Sequence, residues 1–217
     1  AIKRAVEEWE VDIVTMSFGF EDSSFRDPAM QRALLNIQTA ISRADDKVLF
    51  FAAAGNDGLN IQRSFPARLW PQVICIHASD RLGYNGCINP RADDRDDNFM
   101  TLGISLAVPD ALGQGSKLKS GTSFATPIAA SFAACILHAV EFEMGFPEDR
   151  IAEVLTWLHT NTGMRTMLKR ISIRMDKYSY LAPWLNLWAD GWNRDQDIVN
   201  WLQLEILTMK KRELLGG

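Results

Sequence analysis

Cysteine and histidine are both scarce in this chain of 217 residues, at three each. Cys75, Cys87 and Cys135 are odd in number and set no disulfide framework, which fits a reducing compartment better than a secreted one. Cys75 and Cys135 fall inside apolar runs and read as buried hydrophobes. A surplus of positive charge is also missing. Lysine and arginine total 23 against 27 acidic residues, for a net charge of -4. No basic stripe exists to neutralise phosphates, so nucleic acid is not an expected partner. The short cluster Lys210-Lys211-Arg212 reads as the solvated last turn of a helix. No apolar run is read as reaching transmembrane length, so no membrane partner is expected, and no signal peptide is visible. The sequence opens at Ala1-Ile2-Lys3, without methionine and partway into a helical pattern. It is therefore expected to be a piece of a longer protein.

What is present is 47% hydrophobic and 23% charged. That suffices for one domain with a sizeable core and argues against disorder. Helical periodicity covers Ala1 to Trp9, with Ile2, Ala5, Val6 and Trp9 on one face. Asp27-Pro28 has the form of an N-cap and a first-turn proline. Behind it, Met30, Ala33, Leu34, Ile37, Ala40 and Ile41 form a buried stripe. Four apolar runs read as strands: Val11 to Ser17, Val48 to Ala54, Val73 to Ala78 and Ile104 to Val108. Continuous apolar strands between helices predict a mostly parallel sheet covered on both faces, a three-layer α/β/α domain. In such a sheet, sites form at the carboxyl ends of the strands. Gly121 to Phe142 reads as one long buried helix. A further helix begins at Pro147 and stops near Asn161-Thr162-Gly163. The predicted division is a domain over 1–163 followed by a helical, tryptophan-rich extension over 164–217. That extension holds Trp184, Trp188, Trp192 and Trp201 and ends in an amphipathic helix. No internal repeat is visible.

The chemistry concentrates in Gly121-Thr122-Ser123-Phe124-Ala125-Thr126-Pro127. Glycine permits a tight turn into a helix. Ser123 is then at the helix N-terminus, where free N–H groups and the positive dipole end favour a developing anion. Alone, a serine before an apolar helix is usually a cap. The string of seven is more specific, and it resembles the serine motif of the subtilase family of serine proteases. Ala52-Ala53-Ala54-Gly55-Asn56, at the end of an apolar run, resembles the segment that supplies the family's oxyanion asparagine. The resemblance thus implies Ser123 as nucleophile and Asn56, with the Ser123 N–H, as oxyanion donor. Met16-Ser17-Phe18-Gly19 resembles the strand that pairs with the substrate backbone and lines one wall of the S1 pocket, with Phe18 replacing the commoner leucine. Ala53, Ala54 and Gly55 would form the other wall, giving a largely apolar pocket. Ser64-Phe65-Pro66-Ala67 resembles the S1 floor, with Ser64 at the floor and Pro66 expected to be cis. Ala107-Val108-Pro109 resembles a family turn, with Asp110 departing from its usual glycine. Residues 164–217 weakly resemble the longer C-termini of some fungal subtilase-like proteins.

Subtilases run in the chain order Asp, His, Ser. The two earlier motifs should precede Val11, and the N-terminal part that would carry them is not in this sequence. None of His77, His138 and His159 is followed by Gly-Thr. His77 reads as buried, His138 as far along the serine helix and His159 as a helix-end residue. The expectation is a serine endopeptidase of extended polypeptides, here a fragment that needs the N-terminal segment of its own protein. The alternative is a pseudoprotease or peptide-binding regulatory module of a larger intracellular protein. No cofactor is expected. Some subtilases bind calcium, but Asp93-Asp94-Arg95-Asp96-Asp97 reads as a solvated loop because Arg95 interrupts the carboxylates. A different α/β hydrolase is disfavoured, because its elbow needs glycine where Ala125 stands.

Overall fold

A computed structural model describes residues 1–44, 46–58, 61–110, 115–183, 185, 200 and 203–208. Six strands form the main sheet: β1 (Ile13–Met16), β2 (Leu49–Ala53), β3 (Val73–Ser79), β4 (Phe99–Leu102), β7 (Ser172–Met175) and β8 (Tyr178–Leu181). Their order is β1-β2-β3-β4-β8-β7. The first five strands in that order run parallel, and β7 returns antiparallel to β8. Every residue of β2 and β3 is buried, as continuous apolar strands covered on both faces require.

One face meets α3 (Thr122–His138), α4 (Glu148–Leu158) and α5 (Asn161–Arg170). There Leu49, Phe51, Ile74, Ile76 and Phe99 pack with Ala125, Ala129, Ala133, Leu158 and Met164. The other face meets α1 (Ile2–Glu7) and α2 (Pro28–Arg43), where Phe50, Ala52 and Cys75 pack with Ile41 and Ala44. Asp27 caps α2 by accepting from the Met30 N–H at 2.7 Å, and Pro28 follows it.

Several sequence expectations need correction. Ile104 to Val108 is not a strand of the main sheet. Leu106–Pro109 (β5) pairs antiparallel with Ser116–Lys119 (β6) in a separate two-stranded ribbon, so Ala107-Val108-Pro109 is a strand and not a turn. The main sheet instead takes in β4, β8 and β7. The boundary drawn at residue 163 falls inside α5, and the sheet continues to Leu181. Asn161-Thr162-Gly163 starts that helix: Thr160 caps it by accepting from the Gly163 N–H at 3.0 Å. Gly163 is required there because a Cβ would lie 2.1 Å from the Trp157 carbonyl oxygen. In α2 only Leu34 and Ile41 are fully buried, and Trp9 is 64% exposed. Cys135 is exposed on α3.

The serine helix is also less enclosed than its composition implies. Its alanine face packs on β2, β3 and β4, but Pro127, Ser131, Ala134, Cys135 and His138 face outward. Together with the π-turn Ala139–Glu143 it forms 22 helical residues, within which an 18-residue window reaches a mean hydropathy of 1.6. By length and composition that stretch could cross a bilayer, contrary to the expectation that none would. In this fold it is the helix on which the sheet packs. Trp184, Trp188, Trp192 and Trp201 lie outside the described residues. Of the anticipated final helix, residues 203–208 are helical and Ile206 joins the core.

Candidate active site

The sheet explains why residues distant in sequence meet. β1 and β2 are adjacent and parallel, with Met16 opposite Ala52, so their carboxyl ends deliver Ser17 and Ala54-Gly55-Asn56 to the same edge. α3 starts at that edge. Ser123 is its second residue and is half-buried, and the Ser123 N–H lies in the first turn, where N–H groups have no intrahelical acceptor.

Pro127, inside α3, has no N–H to offer the Ser123 carbonyl four residues back. That carbonyl accepts from the Ser17 hydroxyl at 2.9 Å instead. The Ser123 hydroxyl in turn donates to the Ser17 carbonyl at 3.3 Å. The reciprocal pair fixes the serine against the end of β1. Asn56 is oriented from its oxygen side: Oδ1 accepts from the Thr122 N–H at 2.8 Å and from the Thr122 hydroxyl at 3.2 Å. Its Nδ2 is left with no partner among the described residues. Thr122 is the residue that sequence reasoning passed over, since inside the motif it looked like spacing between Gly121 and Ser123.

A cleft of about 170 Å³ opens beside these groups. It is lined by Phe18, Gly19, Ala53, Gly55, Asn56, Asp57, Ser64, Thr122 and Ser123. Ala54 is buried and does not line the cleft; its carbonyl accepts from the Ser64 N–H at 2.9 Å and ties the two segments together. Phe20 and Phe65 exchange backbone hydrogen bonds, both at 2.9 Å, which holds 17–20 against 64–65. The Phe65–Pro66 bond is cis, and so is Trp70–Pro71. The expectation of an apolar pocket fails. Asp57 is the single charged side chain on the cleft among the described residues, and Ser64 adds a hydroxyl.

Behind the cleft the acidic stretch departs from the expected solvated loop. Asp94 is 81% exposed, but Asp96 is 1% exposed and pairs with Arg63 at 2.6 Å and with Arg165. Arg63 also donates to Asn98, and Arg165 to the Val73 carbonyl at 2.7 Å. Burial alone would raise the Asp96 carboxyl, but Arg165 and Arg63 hold it below its ordinary value. Asp93 pairs with Arg95, and Asp97 with Lys169 at 2.8 Å. These carboxylates answer cations of their own chain, and Arg63, next to Ser64, is anchored by them.

None of the three histidines bonds to Ser123 among the described residues. His77 is fully buried, held through Nδ1 on the Phe99 carbonyl at 3.2 Å, and its pKa is lowered to about 3 by burial and by Arg63. His138 ends α3, and His159 bonds Leu155 and Asp12.

The family model described as the subtilase family, Peptidase_S8, matches residues 1–171. The chain belongs to the subtilase family. This subtilase is 30% identical to the subtilisin-like protease het-Q2 of Podospora anserina over 64% of its own length and 37% of the relative's. Among solved structures it resembles the prenylagaramide maturation protease PagA, at 25% identity and a TM-score of 0.55. That match covers 81% of this chain and 57% of the other. An S218A mutant of the PatA protease domain matches with a TM-score of 0.56 and 22% identity, over 88% and 64% of the two chains. The subtilase thus spans less than two thirds of each of these relatives.

Proposed function

We propose that this subtilase is the serine-bearing portion of a serine endopeptidase that cuts extended polypeptides. The observation that carries the reading is the convergence on one cleft of Ser123, at the first turn of α3, and Asn56 Nδ2, which has no partner among the described residues. In this role the Ser123 oxygen attacks the scissile carbonyl. The Asn56 Nδ2–H and the Ser123 N–H receive the negative charge that develops on the carbonyl oxygen. Losing one such donor costs about 10²–10³ in kcat, a magnitude measured in subtilisin itself. Ser17, Phe18 and Gly19, all exposed beyond β1, supply backbone for the substrate to pair with. Gly19, Ala53, Gly55 and Ser64 shape the slot for the residue on the acyl side of the bond. That peptides are the substrates is supported by relatives named as maturation proteases.

The general base and its carboxylate partner come, on this reading, from a portion of the protein outside these 217 residues. His138 is some 15 residues along α3 from Ser123, about 22 Å at 1.5 Å per residue. His77 is enclosed in the sheet, and His159 is engaged by Asp12. A serine without a base is a weak nucleophile. A fluorophosphonate probe tests this. The chain alone should label slowly or not at all. Supplied with the Asp- and His-bearing portion encoded with it, Ser123 should label and the Ser123→Ala variant should not. Rapid labelling of the chain alone refutes the outside base, and no labelling of the completed protein refutes Ser123 as nucleophile.

A further inference from the structure

We propose that the Ser17 hydroxyl is a positioning group for the reaction: it takes the place of the N–H that Pro127 lacks and so keeps Ser123 in aim. The inference rests on Ser123 as nucleophile and adds a side chain that acts on the chemistry only through Ser123.

In an uninterrupted helix the N–H of residue 127 holds the carbonyl of residue 123. Proline removes that donor, and its ring presses on the same carbonyl, so Ser123 lacks the tether its own turn normally supplies. The neighbouring carbonyl, that of Thr122, takes the Thr126 hydroxyl at 2.8 Å from within the helix. The Ser123 carbonyl takes its donor from another element, the Ser17 hydroxyl at 2.9 Å, 106 positions away. Ser17 directly follows Met16, the buried last residue of β1, so this donor stands on the end of a strand paired with β2.

The Ser123 N–H, hydroxyl and carbonyl all radiate from one residue, so pinning the carbonyl limits the swing of the other two. The two bonds of the Ser17–Ser123 pair differ in what the reaction asks of them. The Ser123 hydroxyl is 3.3 Å from the Ser17 carbonyl and must leave it to attack. The Ser17 hydroxyl bonds a carbonyl that takes no part in the chemistry, so that bond lasts through the transition state. Keeping the attacking oxygen and the N–H oxyanion donor in register lowers the barrier, since small misplacements of a reacting group are costly. Ser17 is exposed, so the contribution is that of a single neutral hydrogen bond.

The test uses the completed protein, the chain with the Asp- and His-bearing portion encoded with it, and follows the rate at which a small alkyl fluorophosphonate labels Ser123. The serine oxygen displaces fluoride from phosphorus without using the backbone of 17–19, so the rate reports on aim and not on substrate pairing. Rates are taken far below the Tm of every variant, which separates aim from loss of fold. Ser17→Ala should label roughly three- to tenfold more slowly, the equivalent of one neutral hydrogen bond. The midpoint of its pH profile should match that of the wild type, because the base is unchanged. Ser17→Thr, which keeps the hydroxyl, should label within about twofold of the wild type. In a Pro127→Ala background an N–H is restored to the Ser123 carbonyl, and the loss caused by Ser17→Ala should shrink to about twofold or less. Equal labelling of wild type and Ser17→Ala overturns the proposal, and so does a loss undiminished by Pro127→Ala. Should Ser17→Ala fail to fold, Ser17→Cys takes its place, since a thiol fills the site and donates only weakly. Labelling of the wild type with no effect of Ser17→Ala removes the positioning role alone. No labelling of the wild type removes the nucleophile, and with it anything for Ser17 to position.

Discussion

Replacing Asp96 by asparagine keeps the shape of the side chain and removes the one charge that answers two buried guanidiniums. Arg63, Arg165 and Asp96 are all nearly inaccessible to water. In the variant Arg63 keeps Asn98 and Arg165 keeps the Val73 carbonyl, so each retains a neutral acceptor but no counter-charge. Breaking a buried pair from one side costs about 3–5 kcal/mol, because an uncompensated charge stays inside. The retained acceptors place this case near 3. For a domain of this size each kcal/mol shifts Tm by about 2–4 °C, so a fall of about 6–12 °C is expected in a thermal melt. Asp94→Asn, at an exposed position two residues away, should shift Tm by less than about 2 °C. The sign with pH follows. The folded Asp96 carboxyl is held below its ordinary value, so its contribution is complete above about pH 4 and is lost as pH falls further. The gap between wild type and variant should close in that acid range. A melt of Asp96→Asn within 2 °C of wild type at neutral pH would refute the network as a source of stability.

His77→Asn keeps a donor for the Phe99 carbonyl and removes the titration. Because the folded imidazole has a pKa of about 3 and an unfolded one about 6.5, acid should destabilise the wild type by up to about 1.4 kcal/mol per pH unit between those values. The variant should show a slope shallower by about one proton in urea titrations from pH 6 to pH 4, and equal slopes would refute the assignment. Ser17→Ala should cost about 0.5–1.5 kcal/mol, since it strips the Ser123 carbonyl of the hydroxyl that stands in for the missing N–H at 127. The same change made beside Pro127→Ala should cost less, because the new N–H at 127 reaches that carbonyl. An undiminished cost in that background would show that the two residues are not linked.

Much of the site could be read in the sequence because its parts are short strings with backbone consequences. Gly121 to Pro127 encodes a helix start, and Ala53-Ala54-Gly55-Asn56 a strand end. What escaped was of another kind. Thr122 matters through Asn56 and Gly55, 66 and 67 residues away, and nothing local distinguishes it from filler. The role of Asp96 was hidden because its partners, Arg63 and Arg165, lie on separate segments, so five charged residues in a row looked like a wet loop. β7 and β8 are short and mixed, with Arg174 inside β7 and Lys177 in the turn between them, and their strand character comes from pairing with each other and with β4. Ile104 to Val108 failed for the opposite reason. Its composition suits a central strand, but the chain there has already left the sheet.

The bond between Ser17 and Ser123 spans 106 positions of chain. In a parallel sheet no hairpin can bring such partners together, and closing so long a loop costs entropy that is returned only when the intervening strands are docked. The Ser123 hydroxyl therefore acquires its setting late, after β1, β2 and α3 have met. While the polypeptide is still leaving the ribosome, neither half of that contact is in place, so the cleft is a property of the folded sheet and not of any local segment.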